Sequence, residues 1–239
     1  LVVYSPIPYC ITMLVHYSYN FRQRSFQLMR YIWILTVLIT CQGALANDIG
    51  EIMDKAKQGS AISQYTLAKE YQYGFGELPE DDSLAIKWMR KSAAQGYSEA
   101  QYNLGLMLSN GEGATKNYSQ ALEWFIKAAN QGHKDHQRTL GKIYAAGEIT
   151  PTDHKQAIYW LSKAARQGDS YAQSELAWSF LFVGNKIRAY SWWSIAVTEG
   201  YSFVNKWLNE VESEMTLEQI AQAQALAAQC YESNYKDCD

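Results

Sequence analysis

The chain repeats itself. The stretch "AIKWMRKSAAQG" at residues 85–96 returns as "ALEWFIKAANQG" at 121–132, "AIYWLSKAARQG" at 157–168 and "AYSWWSIAVTEG" at 189–200. The starts lie 36, 36 and 32 residues apart. A fixed period of this size marks an array of small units, each too small to bury an apolar face by itself.

Within these copies an Ala, a Trp and a small pair hold fixed offsets: Ala85, Trp88, Ser92 and Ala93; Ala121, Trp124, Ala128 and Ala129; Ala157, Trp160, Ala164 and Ala165. Offsets of three, seven and eight share one face of an α-helix. Each copy ends in glycine, at Gly96, Gly132, Gly168 and Gly200, which suits a left-handed helix end. The preceding half of each unit is also one-sided at helical spacing. Gln64, Gln101, Gln137 and Gln173 hold one position in it; Leu67, Leu104, Leu140 and Leu176 hold another. A small residue follows each of these leucines: Ala68, Gly105, Gly141 and Ala177. A glycine-marked turn joins the halves, and in the fourth unit it is short. The unit is therefore a helix hairpin, and stacking hairpins gives an all-α fold, an α/α solenoid.

The order A-Q-x-x-L-G, G-x-G, A-x-x-W and K-A-A-x-Q-G resembles the Sel-1-like repeat, a relative of the tetratricopeptide repeat. "AQYNLGLMLSNGEGATKNYSQALEWFIKAANQG" at 100–132 is close to a full match. The resemblance implies a right-handed superhelix of about four repeats: 60–96, 97–132, 133–168 and 169–200. It also implies an N-terminal capping helix at 47–59 and a C-terminal capping region at 201–239, in which Thr216 and Gln219 form a capping box. There are departures from the pattern. His136 stands where other units have Ala100 and Ala172, and Ile195 replaces the Lys of K-A-A in the fourth unit.

Residues 29–46, "MRYIWILTVLITCQGALA", have a basic start, a short apolar run and an A-x-A site. That is the layout of a signal peptide cleaved after Ala46; an uncleaved anchor, or a lipoprotein lipidated at Cys41, is the other reading. Residues 1–28 are expected to be an over-extended N-terminus. Cleavage would remove three of the 21 basic residues and no acidic one, taking the net charge from −3 to −6. No basic stripe is present, so no nucleic-acid partner is expected, nor is stable membrane insertion after cleavage. Cys230 and Cys238 would remain, an even number in an exported chain, which reads as a disulfide; two free thiols are the alternative. The expected location is the periplasm or outside the cell.

Few residues of the chain carry recognisable chemistry. The glycine pairs Gly74/Gly76 and Gly111/Gly113 lack the strand and Lys-Ser/Thr context of a phosphate loop. His133, His136 and His154 read as solvated or packing residues, with a zinc site as the alternative. No metal, no cofactor and no catalytic residue is expected. Some disulfide-rich relatives are described as β-lactamase-like or penicillin-binding. That chemistry needs an activated serine, such as S-x-x-K, and none is expected here. The paired cysteines of each repeat in those relatives are also missing.

The resemblance implies binding. In related repeats the first helices line the inner face, and their variable positions read the partner. Positions one and five after the repeat Gln share a face. They are Tyr65 and Lys69, Tyr102 and Leu106, Arg138 and Lys142, Ser174 and Trp178. Tyr, Trp and Arg are frequent interface anchors, and Arg138 with Lys142 could take a carboxylate. The strip is either a recognition surface or padding between neighbouring helices. The expected function is a non-enzymatic scaffold for a protein or peptide partner in the bacterial envelope. The alternative is a cell-wall-related enzyme or binder.

Overall fold

The computed structural model describes residues 49–74 and 78–238, and every regular element among them is helical. The signal-like segment 29–46, the stretch 1–28, Cys10 and Cys41 lie outside the described residues. Helix α1 is described over 49–57. Four pairs follow: α2 (Ala61–Tyr73) with α3 (Asp82–Ala94), and α4 (Ser98–Asn110) with α5 (Tyr118–Asn130). Then come α6 (Lys134–Ala146) with α7 (His154–Ala165), and α8 (Ser170–Phe182) with α9 (Lys186–Thr198). A 3-10 turn at Ser202–Val204, α10 (Asn205–Ser213) and α11 (Leu217–Glu232) close the array.

From α2 to α9 each helix packs on the next, and α9 also carries α10 and α11. This is the all-α solenoid that the period predicts. No helix among the described residues is long and apolar enough to cross a membrane.

Local chemistry sets the helix ends. The second helices start at Asp81, Asn117, Asp153 and Asn185, whose side chains accept backbone N–H groups of the first turn. Such a cap contributes about 1 kcal/mol. The closing glycines of all four repeats have positive φ, from 72° at Gly168 to 93° at Gly132. At α11 both halves of the Thr216/Gln219 capping box are formed.

The small residue after each repeat leucine is a close-approach site. A Cβ on Gly105 would lie 2.7 Å from the Phe125 ring, and one on Gly141 would lie 2.5 Å from Leu161. Both glycines let a first helix settle onto its own second helix. The alanine seam Ala85, Ala121, Ala128, Ala129, Ala157, Ala164 and Ala165 is wholly buried.

The Lys of K-A-A has a packing role. Lys91, Lys127 and Lys163 place their ammonium groups 4.0, 4.0 and 4.9 Å from the rings of Trp88, Trp124 and Trp160. Each lysine roofs its tryptophan with an aliphatic stem and a cation–π contact. In the fourth unit α11 covers this face instead. Ser191 Oγ donates to Ala223 O across that contact at 3.0 Å, and Trp192 and Ile195 are buried. A lysine there would be sealed from water, which accounts for the isoleucine.

His136 is accommodated by stacking. Its ring lies 5.0 Å from Tyr102 at an interplanar angle of 20°, and 5.5 Å from His133. Burial, with His133 adding to it, holds the His136 imidazole below its ordinary pKa.

Candidate partner-binding groove

The first helices of units two to four line one groove of about 700 Å³. Tyr102 comes from α4, Arg138, Lys142 and Ile143 from α6, and Glu175, Trp178 and Phe182 from α8, with Ile149 from the α6–α7 turn. Four of the eight strip residues therefore meet here: Tyr102, Arg138, Lys142 and Trp178.

The other four do not line the groove. Tyr65 packs edge-on against Tyr97 at 5.2 Å, and burial, first among several causes, raises its pKa. Lys69 donates to Gln72 at 3.2 Å, Tyr73 at 2.9 Å and Asn103 at 3.3 Å, tying unit one to unit two. Leu106 is half-buried against the core. Ser174 is 8% exposed and offers a partner little surface.

The two cations of the groove differ. The Arg138 guanidinium is committed within the fold, to Asp135 at 2.8 Å and to Asp169, which is 3% exposed. Lys142 stands 3.9 Å from Glu175, and its side chain is 55% exposed. A loose exposed pair of this kind contributes at most about 1 kcal/mol. Lys142, more than Arg138, is the cation a ligand can recruit.

The aromatic end of the groove is larger than the strip suggests. Trp178 meets Trp193 edge-on at 5.0 Å and Trp207 at 5.3 Å, with Phe182 at 6.3 Å. Trp207 leads to Phe203 at 5.3 Å, and Phe203 to Tyr201 at 6.3 Å. Tyr201 reaches Tyr171 at 5.0 Å. Phe182 and Phe203 are 68% and 72% exposed. These two rings form the exposed part of a linked aromatic patch. Phe182 had a sequence signal, since it lies four residues after Trp178 on the same helix face. Phe203 and Trp207 had none, because they arrive from beyond the last regular repeat.

The remaining candidates are spent elsewhere. His154 stacks on Phe182 at 4.8 Å, away from the His133–His136 pair. No group of three His, Cys, Asp or Glu among the described residues could hold a metal ion. The serine expectation needs one correction: an S-x-x-K spacing does occur, from Ser233 to Lys236. Ser233 Oγ donates to Cys230 O at 2.9 Å and accepts the Asp237 N–H at 3.0 Å, so it ties the C-terminal turn together. Cys230 and Cys238 form a disulfide around that turn.

With this geometry in hand, the class of the chain follows from comparison. Residues 61–97, 98–133 and 137–169 match the Sel1 repeat family, so the central array consists of Sel1 repeats. Sel1-repeat proteins generally mediate protein–protein interaction and are typically non-catalytic. Among solved structures the chain is similar to a protective antigen of uropathogenic Escherichia coli displaying an SLR fold. That likeness has 32% identity and a TM-score of 0.61, covering 78% of this chain and 42% of that one. This chain thus spans under half the length of that relative. A Sel1 repeat protein from Oxalobacter formigenes is 33% identical, with a TM-score of 0.49, over 54% of this chain and 96% of that one. No curated protein sequence matches the chain.

Proposed function

We propose that this chain is an exported, non-catalytic scaffold that binds a protein or peptide segment along the groove of α4, α6 and α8. The observation that carries this reading is the convergence of three successive first helices on one groove ending in exposed rings. A segment laid there would seat an apolar side chain against Trp178 and Phe182. Lys142 would meet a carboxylate, and the half-buried Tyr102 would present a hydroxyl at the far end. Large aromatic side chains of this kind supply most of the energy at typical interfaces. Export to an oxidising envelope compartment is supported by the signal layout of 29–46 and by the Cys230–Cys238 disulfide.

The test is photo-crosslinking in the native host with a probe at Tyr102 or Phe182, and a control at Glu123, which is exposed on α5. A discrete adduct from the groove positions, absent at Glu123, is the expected result. Groove probes that give no more adduct than Glu123 would overturn the assignment.

A further inference from the structure

The repeat glutamines form a clasp in three units. Gln95, Gln131 and Gln167, at the ends of the second helices, donate to the side-chain oxygens of Gln64, Gln101 and Gln137 at 2.7, 2.8 and 2.8 Å. The inner glutamines pass the bond on. Their amides donate to Ala56, Ala93 and Ala129 carbonyls of the preceding unit at 3.0, 3.2 and 3.4 Å. Gln131 and Gln167 also reach back to the Gly96 and Gly132 carbonyls. The clasp fastens each hairpin to itself and to its neighbour.

In the fourth unit this device is broken. Gln173 is wholly buried, and neither its amide nitrogen nor its oxygen has a hydrogen bond of normal geometry. Its counterpart at the end of α9 is Glu199. An ionised carboxylate only accepts, so it can donate neither to Gln173 nor to Gly168. A buried amide without a well-formed hydrogen bond is costly and calls for an explanation.

The C-terminal tail supplies one. Tyr235 O–H donates to Glu199 Oε1 at 2.6 Å, and its ring lies beside Gly168. Burial, then the bond and charge of Glu199, push the Tyr235 hydroxyl up to about 12, while the neighbouring Gln173 amide opposes the rise. Tyr235 therefore binds Glu199 and lies beside Gln173 and Gly168, the two groups that a glutamine at position 199 would serve. It reaches them with left-handed backbone at both Asn234 (φ 53°) and Tyr235 (φ 64°), a conformation other than glycine adopts only at a cost. The Cys230–Cys238 disulfide closes the turn that contains both residues.

We infer that the tail is a redox-sensitive latch: the Cys230–Cys238 disulfide holds Tyr235 on the last repeat in place of the missing glutamine, and reduction releases it. A dithiol reductant would open the latch. One of its thiolates attacks a cystine sulfur, and the second thiol resolves the mixed disulfide. The reductant leaves as a cyclic disulfide, and Cys230 and Cys238 become thiols. The left-handed turn then relaxes, Tyr235 leaves Glu199, and the α8–α9 hairpin loses its fastening. That hairpin carries Trp178 and Phe182, so the state of the tail reaches the aromatic end of the groove.

Hydrogen–deuterium exchange on the full chain tests this. In oxidised wild type, residues 170–200 should be protected. A dithiol should raise their exchange on the order of tenfold, the loss of one charge-assisted hydrogen bond, and leave 98–133 unchanged. Tyr235→Phe should give the fast exchange at 170–200 with the disulfide intact. Glu199→Gln restores the clasp pair of the other units and should make 170–200 insensitive to the dithiol. Equal exchange in oxidised and reduced wild type would overturn the latch. So would a rise spread evenly over 98–133, or an E199Q protein as sensitive as wild type.

Discussion

Units one to three and unit four are the same hairpin held shut in two ways. In the first three, the sequence of each unit contains its own fasteners: a Gln–Gln clasp at the hairpin end and a Lys roof over the Trp. In the fourth both have gone. Glu199 stands in for a clasp glutamine and Ile195 for a roof lysine. Their work passes to Tyr235 on the tail and to the buried face of α11. The regular units are thus fastened by residues of the repeats themselves, while the last depends on the tail beyond the array. A repeat at the end of an array meets a cap in place of a neighbour, and its sequence changes accordingly.

Two substitutions that make unit four look like the others should have opposite signs, and this is the sharpest way to break the comparison. Ile195→Lys should cost about 3–5 kcal/mol, because the ammonium would be sealed under α11 without a partner. Chemical denaturation measures it; a cost below about 1 kcal/mol would mean that α11 does not seal that face. Glu199→Gln should instead be neutral or stabilising.

Next in size is the tail. Cys230→Ser with Cys238→Ser should cost about 2–3 kcal/mol, from the loop entropy of a short closed turn. The same denaturation midpoint reports it. An unchanged midpoint would show that the tail contributes nothing to unit four.

Within the regular units, Gln131→Ala removes two hydrogen bonds and should cost about 1–2 kcal/mol. Gln173→Ala should cost less than Gln101→Ala at the equivalent buried position, since Gln101 makes two side-chain bonds and the Gln173 amide makes none of normal geometry. Equal losses at the two sites, measured side by side, would erase the distinction between the regions.

The smallest effect is one of pH. The Tyr235 pKa is raised in the fold from 10.0 to about 12, first by burial and then by Glu199. The raised value means that its contribution is complete below pH 10 and is lost as pH rises toward 12. Stability against pH should fall across that window in wild type and fall less steeply in Tyr235→Phe, where the other raised tyrosines, such as Tyr65 and Tyr201, still contribute. Parallel curves would remove the Tyr235 hydroxyl from the account.

Much of this was legible in advance. The period gave the hairpin, and the offsets of Ala, Trp, Gln and Leu gave the buried face, because helical geometry maps spacing onto a face with no further information. The small residues after the leucines were visible as a pattern; only Phe125 and Leu161 explain it. The strip was legible in part. Tyr102 and Trp178 reach the groove, but Arg138 is engaged by Asp169 across 31 residues, a partner that spacing along one helix does not show. Ser174 shares the periodic position yet is buried, since the packing of unit four differs from that of its neighbours.

The sequence by itself determined the unit, its number of helices, its caps and the faces that stack, all of which are set by contacts within about one period. The tertiary structure decided which glutamines clasp and which lysines roof a tryptophan. It also decided that Phe203 and Trp207 join Trp178, and that Tyr235 completes the last repeat. Those contacts join residues from different helices, or from the tail to the array. Their partners are chosen by how the stack curves and ends, and no periodicity records that.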